Sequence, residues 1–168
     1  MLLNLINLIQ VMTTSSNEKK LSVAIGCDPN ATSLKKIIID QLEKSGYSVT
    51  DFGSDDPIYA KVAFTVGEAV AANSFDRGIL LCGTGIGMSV AANKVPGVIA
   101  ALCADTYSAE RAIKSNNSNV LAIGAFTTGN EIAKQIVKIW MESEWQTGTS
   151  SEPKVACYVE YAQKHQVK

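Results

Sequence analysis

The hexapeptide Cys82-Gly83-Thr84-Gly85-Ile86-Gly87 joins a thiol to three glycines at alternate positions. Glycine admits positive φ and lets a ligand approach the backbone closely. Consecutive free N–H groups in such a turn, with a helix start behind them, form a nest for an anion. The same donors favour the thiolate form of Cys82. A thiolate beside an anion hole suits removal of a proton α to a carbonyl, because the resulting enediolate needs donors already in place. A cysteine alone reads better as a small buried hydrophobe; the glycine loop turns the reading toward function. Asp28, in the segment GCDPNA, is the second candidate. Its carboxylate can accept hydrogen bonds from ligand hydroxyls, or equally serve an Asx-turn or helix cap before Pro29.

Competing chemistries are weaker. The glycine spacing is GxGxG rather than GxGxxG, and no Walker lysine with Ser/Thr follows it, so a nucleotide site has little support. Fifteen Lys plus Arg against 16 Asp plus Glu give a formal charge of −1, which lacks the basic footprint of a nucleic-acid binder. The single histidine, His165, lies three residues from the C-terminus. Cys27, Cys82, Cys103 and Cys157 form no CxxC pair, so neither a zinc site nor a disulfide framework is expected. Free thiols in a reducing cytoplasm, with no metal and no cofactor, are the expectation.

These residues need a scaffold, and 168 residues with 46% apolar content suffice for a single domain. Residues 1–20 read as a flexible N-terminal extension and 21–168 as the domain. Residues 1–12, MLLNLINLIQVM, lack a positive leading region and are too short to span a bilayer. A surface helix docking on this or a neighbouring subunit is the alternative for them. From Leu21 the pattern alternates. Strands are expected at 21–27, 47–53, 77–82, 98–103 and 119–124. Helices are expected from Thr32 or Ser33 (as N-cap) to Gly46, then over 58–73, near 89–94, over 106–116 and 127–144, and after Pro153. Such alternation predicts an α/β fold: a Rossmann-like three-layer α/β/α sandwich with a five-stranded parallel sheet. Ligands in such sheets bind outside the carboxyl ends of the strands, where Asp28, the Cys82 loop, Asp105 and Gly124 fall.

The segments GCD, CGTGIGMSVAANKVPGV and DTYSAER with SNNSNVLAIGA resemble the ribose-5-phosphate isomerase B / galactose-6-phosphate isomerase family over residues 21–165. The resemblance implies a homodimer or tetramer with sites at the subunit interface. It also implies metal-free aldose–ketose isomerisation of phosphorylated sugars through a cis-enediolate, with no part for nucleic acid or membrane. Matched by position, Cys82 is the base that moves the proton between C1 and C2, and Thr84 lies near the substrate oxygens. The amides of Gly83, Gly85, Ile86 and Gly87 form the anion hole, and Asp28 holds hydroxyls or assists ring chemistry. Tyr59 matches a substrate-binding tyrosine, and Asn116 an asparagine contributed across the dimer. The chain departs from many members at Pro29 and Ser115, both commonly histidine. Only two arginines occur, Arg77 and Arg111. Arg77 opens a strand at the wrong edge, which leaves Arg111 and Lys154 as phosphate candidates. The family default is ribose 5-phosphate to ribulose 5-phosphate. Without a ring-opening histidine, a tetrulose 4-phosphate of the erythrulose type is the close alternative, because it cannot close a furanose. Galactose 6-phosphate and a non-catalytic sugar-phosphate-binding module complete the alternatives.

Overall fold

The computed structural model describes residues 20–53 and 56–165. Five strands form one parallel sheet: β1 (Ser22–Cys27), β2 (Ser48–Asp51), β3 (Arg77–Cys82), β4 (Ala100–Leu102) and β5 (Val120–Gly124). Six α-helices accompany them: α1 (Thr32–Lys44), α2 (Tyr59–Ala71), α3 (Ile86–Ala92), α4 (Thr106–Lys114), α5 (Asn130–Glu142) and α6 (Glu152–Lys164). The expected α/β/α sandwich is therefore present. Apart from Lys20, the proposed N-terminal extension lies outside the described residues.

Alternation of side chains along each strand sorts the core into two layers. Ile25, Ile79, Leu81, Leu121 and Ile123 face α1, α4 and α5, whose Ile38, Ile113 and Trp140 complete one cluster. Ala24, Leu80, Val120 and Ala122 face the opposite way, against Val62 and Val66 of α2 and Met88 and Ala92 of α3. The three central strands, β1, β3 and β5, are thus buried on both faces, which is why they read as continuous apolar runs.

The strand order is β2-β1-β3-β5-β4. After β2 the chain crosses over β1 to build the other half of the sheet, so the topological switch lies between β1 and β3. That crevice, at the carboxyl ends of the strands, is where doubly wound sheets bind ligands. Cys27-Asp28 and Cys82-Gly83 border it. The Asp28 N–H donates to the Leu81 carbonyl at 3.1 Å, tying the two strand ends together.

Two local expectations are corrected. Neither Thr32 nor Ser33 caps α1; a short 3-10 turn, Pro29–Ala31, runs into that helix, and Asp28 caps the turn instead. Pro29 favours this by supplying a preset φ where no N–H is needed. The helix expected near 89–94 starts earlier, at Ile86, because Gly85 adopts a left-handed conformation (φ 77°) that reverses the chain directly into it. Arg77 has a structural role. Its guanidinium lies 5.0 Å from the Trp140 ring and donates to the carbonyls of Trp140 and, at 2.7 Å, Ser143.

Candidate active site

Three cysteines reach the carboxyl edge of the sheet: Cys27 and Cys82 end β1 and β3, and Cys103 follows β4. All three are buried, whereas Cys157 on α6 is exposed. Their surroundings separate them. The Gly85 N–H donates to the Cys82 Sγ at 3.1 Å, placing a backbone donor on the sulfur that would carry charge as a thiolate. Burial, with Asp105 nearby, pushes the Cys103 thiol up to about 12 and keeps it neutral near pH 7. Native alkylation with iodoacetamide at pH 8 should therefore label Cys157 and leave Cys103 unmodified. Peptide mapping by mass spectrometry checks this; Cys103 labelled ahead of Cys157 would contradict it.

The glycines of the loop are there for distinct reasons. Gly85 takes positive φ, and a Cβ on it would lie 2.9 Å from the backbone carbonyl carbon of Ile123. A Cβ on Gly87 would meet the Tyr59 ring at 2.5 Å, and one on Gly83 would meet the Phe126 ring at 3.0 Å. The loop is thus flanked by two aromatic rings, each packed where a side chain would otherwise be. Gly124 pairs with Cys82 in the ladder, and its missing side chain admits the Thr84 carbonyl, only 2.6 Å from the Cβ position. Thr84 itself is exposed, and its hydroxyl accepts from the Ile86 N–H at 3.4 Å.

Asp28 is buried beside this loop. Its Oδ1 accepts from the Asn30 N–H at 3.0 Å and its Oδ2 from the Asn30 side-chain amide at 3.2 Å. The capping alternative is thus observed directly, and each oxygen retains lone-pair capacity for a further donor. Asp105 caps α4: Ser108 donates its N–H and its hydroxyl, both at 2.7 Å, and these bonds hold the carboxyl below the usual range.

Asn116, Arg111 and Lys154 are not brought to this edge within one chain. α4 starts next to the strand ends and runs back across the sheet. Asn116 follows its end, and the neighbouring Asn119 N–H donates to the carbonyl of Ile99, ahead of β4. Arg111 lies over Tyr107, 6.0 Å from its ring, and bonds Ser115 at 3.3 Å and Glu110 at 3.4 Å. Lys154 is exposed in the first turn of α6, four residues before Tyr158, whose hydroxyl donates to the Asn116 carbonyl at 2.5 Å. At the carboxyl edge, Lys35 pairs with Asp51 at 2.6 Å and Lys61 with Asp56 at 2.7 Å. Sequence reasoning overlooked Phe126. Its signal was modest, an aromatic residue two positions past the fifth strand.

The chain that carries this strand-end thiol, backbone donor and glycine loop has known relatives. Residues 23–157 match the model of the Ribose/Galactose Isomerase family. The chain belongs to that family. The D-erythrulose-4-phosphate isomerase of Pectobacterium atrosepticum is 50% identical over 152 residues, covering 87% of this chain and 99% of the relative. Ribose-5-phosphate isomerase B of Escherichia coli is 41% identical, covering 75% of this chain and 87% of the relative. Among solved structures, Clostridium thermocellum ribose-5-phosphate isomerase B superposes with a TM-score of 0.82 at 39% identity, covering 87% of this chain and all of that one. The Mycoplasma genitalium enzyme with bound ribulose-5-phosphate gives 0.80 at 33% identity, covering 86% of this chain and 97% of that one. This chain is accordingly a sugar-phosphate isomerase of the aldose–ketose type. Among the described residues, no helix is long and apolar enough to cross a membrane, and no cluster of His, Cys, Asp and Glu could hold a metal ion.

Proposed function

We propose that this isomerase interconverts an open-chain tetrose 4-phosphate and its tetrulose 4-phosphate, with Cys82 as the base. The Gly85 N–H on the Cys82 sulfur carries this assignment. The thiolate removes the proton from C2 of the aldose. Electrons move into the C1–C2 bond and onto the C1 oxygen, which gives a cis-enediolate. Transfer of the O2 proton to O1, and return of the thiol's proton to C1 as the C2 oxygen becomes the carbonyl, leaves the ketose and regenerates the thiolate. In this reading the amides of the Gly83–Gly87 loop other than Gly85, whose N–H is on the sulfur, receive the developing oxyanion. Thr84 and Tyr59 flank the substrate oxygens, and Asp28 orients hydroxyls.

The four-carbon assignment rests on chemistry and likeness together. A tetrose phosphorylated on its terminal oxygen cannot form a furanose and needs no ring-opening acid. The chain's one histidine, His165, ends α6 and stacks on Tyr161, 4.1 Å between ring centres. The 50%-identical relative is named for erythrulose 4-phosphate. The assay that decides is kcat/KM across four-, five- and six-carbon aldose and ketose phosphates. The four-carbon pair should lead by at least about tenfold; a lead by ribose 5-phosphate would restore the family default. A catalytically silent binding module would show no turnover with any of them.

The proposal includes a homodimer with shared sites. Ile86, Val90, Leu102, Tyr107 and Phe126 are exposed around the site, an apolar rim of the kind that marks an interface. A second copy would bring Asn116, with Arg111 or Lys154 for the phosphate, to the Cys82 loop of the first. Cys82→Ala and Asn116→Ala variants should each be inactive as homodimers. Mixed and allowed to exchange, they should recover about a quarter of wild-type activity, since half the dimers are mixed and each has one intact site. Recovery of none, or an active monomer by light scattering, would reject the shared site.

A further inference from the structure

We propose that Phe126 determines the length of the sugar phosphate the site accepts, an inference that rests on the isomerase reading above. Phe126 is 73% exposed, although its ring lies against the buried Gly83. Its backbone is nonetheless fastened. The Ala125 N–H donates to the Cys82 carbonyl at 2.8 Å, and the Phe126 N–H donates to the Gly83 carbonyl at 2.9 Å. The segment after β5 is thereby fastened to the first residues of the catalytic loop. The Phe126 ring packs on the face of Gly83 that a side chain would cover. One surface of the ring is spent on that contact and the rest faces outward.

The two flanks of the loop differ in chemistry. On the Gly87 side stands Tyr59, whose phenol can exchange hydrogen bonds with a hydroxylated ligand. On the Gly83 side stands Phe126, which packs against C–H groups and offers no donor or acceptor. A substrate seated over Cys82 therefore meets a polar wall at one end and an apolar wall at the other. Each additional hydroxyl forced against the apolar wall loses water without gaining a partner, a penalty felt in binding and in the transition state. A four-carbon chain presents fewer such hydroxyls than a five- or six-carbon chain. The wall thus selects by length and hydroxylation together, and its backbone bonds keep it fastened beside the loop.

The test compares wild type with Phe126→Ala and Phe126→Asn, using erythrose 4-phosphate and ribose 5-phosphate as probes. Asparagine supplies hydrogen-bonding groups; alanine only opens space. The ratio of kcat/KM for the five-carbon to the four-carbon probe should rise about tenfold in Phe126→Asn and less in Phe126→Ala. Light scattering and thermal melting are measured alongside. Both probes falling by one common factor, with or without dissociation of the oligomer, would overturn the inference and leave Phe126 a purely structural residue. An unchanged ratio with unchanged turnover would overturn it equally. Failure of the underlying reading has a different signature, a wild type that turns over neither probe.

Discussion

Cys82→Ala is expected to lower isomerase turnover by roughly 10²–10⁴-fold, the usual contribution of a positioned general base, while leaving the fold in place. The side chain removed is small and sits at the end of β3, where five of the strand's six residues are buried and both neighbouring strands remain paired through their backbones. The backbone ladder does not depend on the sulfur, so the loss falls on chemistry. A second readout separates base from bystander: in the presence of the sugar phosphate, exchange of the C2 proton with solvent should stop in the variant. Exchange at the wild-type rate would remove Cys82 from the mechanism. Cys82→Ser retains a similar volume, but its alkoxide is inaccessible near pH 7, so it should fall close to the alanine variant. Substantial activity in the serine form would point to a different base.

Gly124→Ala should produce the second large effect, although Gly124 itself is expected to touch no substrate. Its Cα lies beside that of Cys82 in the ladder, and an added Cβ would fall 2.6 Å from both the carbonyl carbon and the carbonyl oxygen of Thr84. Backbone cannot turn aside as a side-chain tip can. Relief requires the Thr84 peptide to move, and with it the Gly85 N–H that bonds the Cys82 sulfur. A displacement of about 1 Å at such a site costs on the order of 10²-fold in rate. Overpacking of this kind costs about 1–3 kcal/mol in stability. Thermal melting and kcat/KM measured together should show both losses. Gly129→Ala is the internal control. Its Cβ would meet nothing within 4 Å, and its φ of −64° suits any residue. Melting and kinetics of that variant should match wild type; a comparable loss there would show the steric account of Gly124 to be wrong.

The site was legible in part. Spacing pointed to the Cys82 loop once a strand was expected at 77–82, because a thiol at a strand end followed by alternating glycines has few structural uses. β3 could be bounded at 77–82 because a charged residue opens that strand and the glycine loop ends it. The start of α3 was misplaced because periodicity counts apolar side chains, whereas the helix begins where Gly85 reverses the backbone. Asp28 was open between ligand holder and cap because both uses need the same carboxylate in the same place. Only its bonds to Asn30 reveal the cap. Phe126 carried almost no local signal, since an exposed aromatic after a strand is common and its meaning depends on Gly83 beneath it.

What the sequence determined by itself was the layered α/β architecture and the sugar-phosphate isomerase family. Both are carried by local patterns: apolar runs and helical periodicity for the one, a contiguous glycine loop for the other. Tertiary structure decided that the Cys82 sulfur at this sheet edge receives the Gly85 N–H, and that Arg77 is committed to Trp140. It also placed Asn116, Arg111 and Lys154 away from Cys82 within one chain. The reason is geometric. A parallel sheet gathers residues from strand ends far apart in sequence, while a helix returning across it carries its own end to the opposite edge. Spacing along the chain records neither distance.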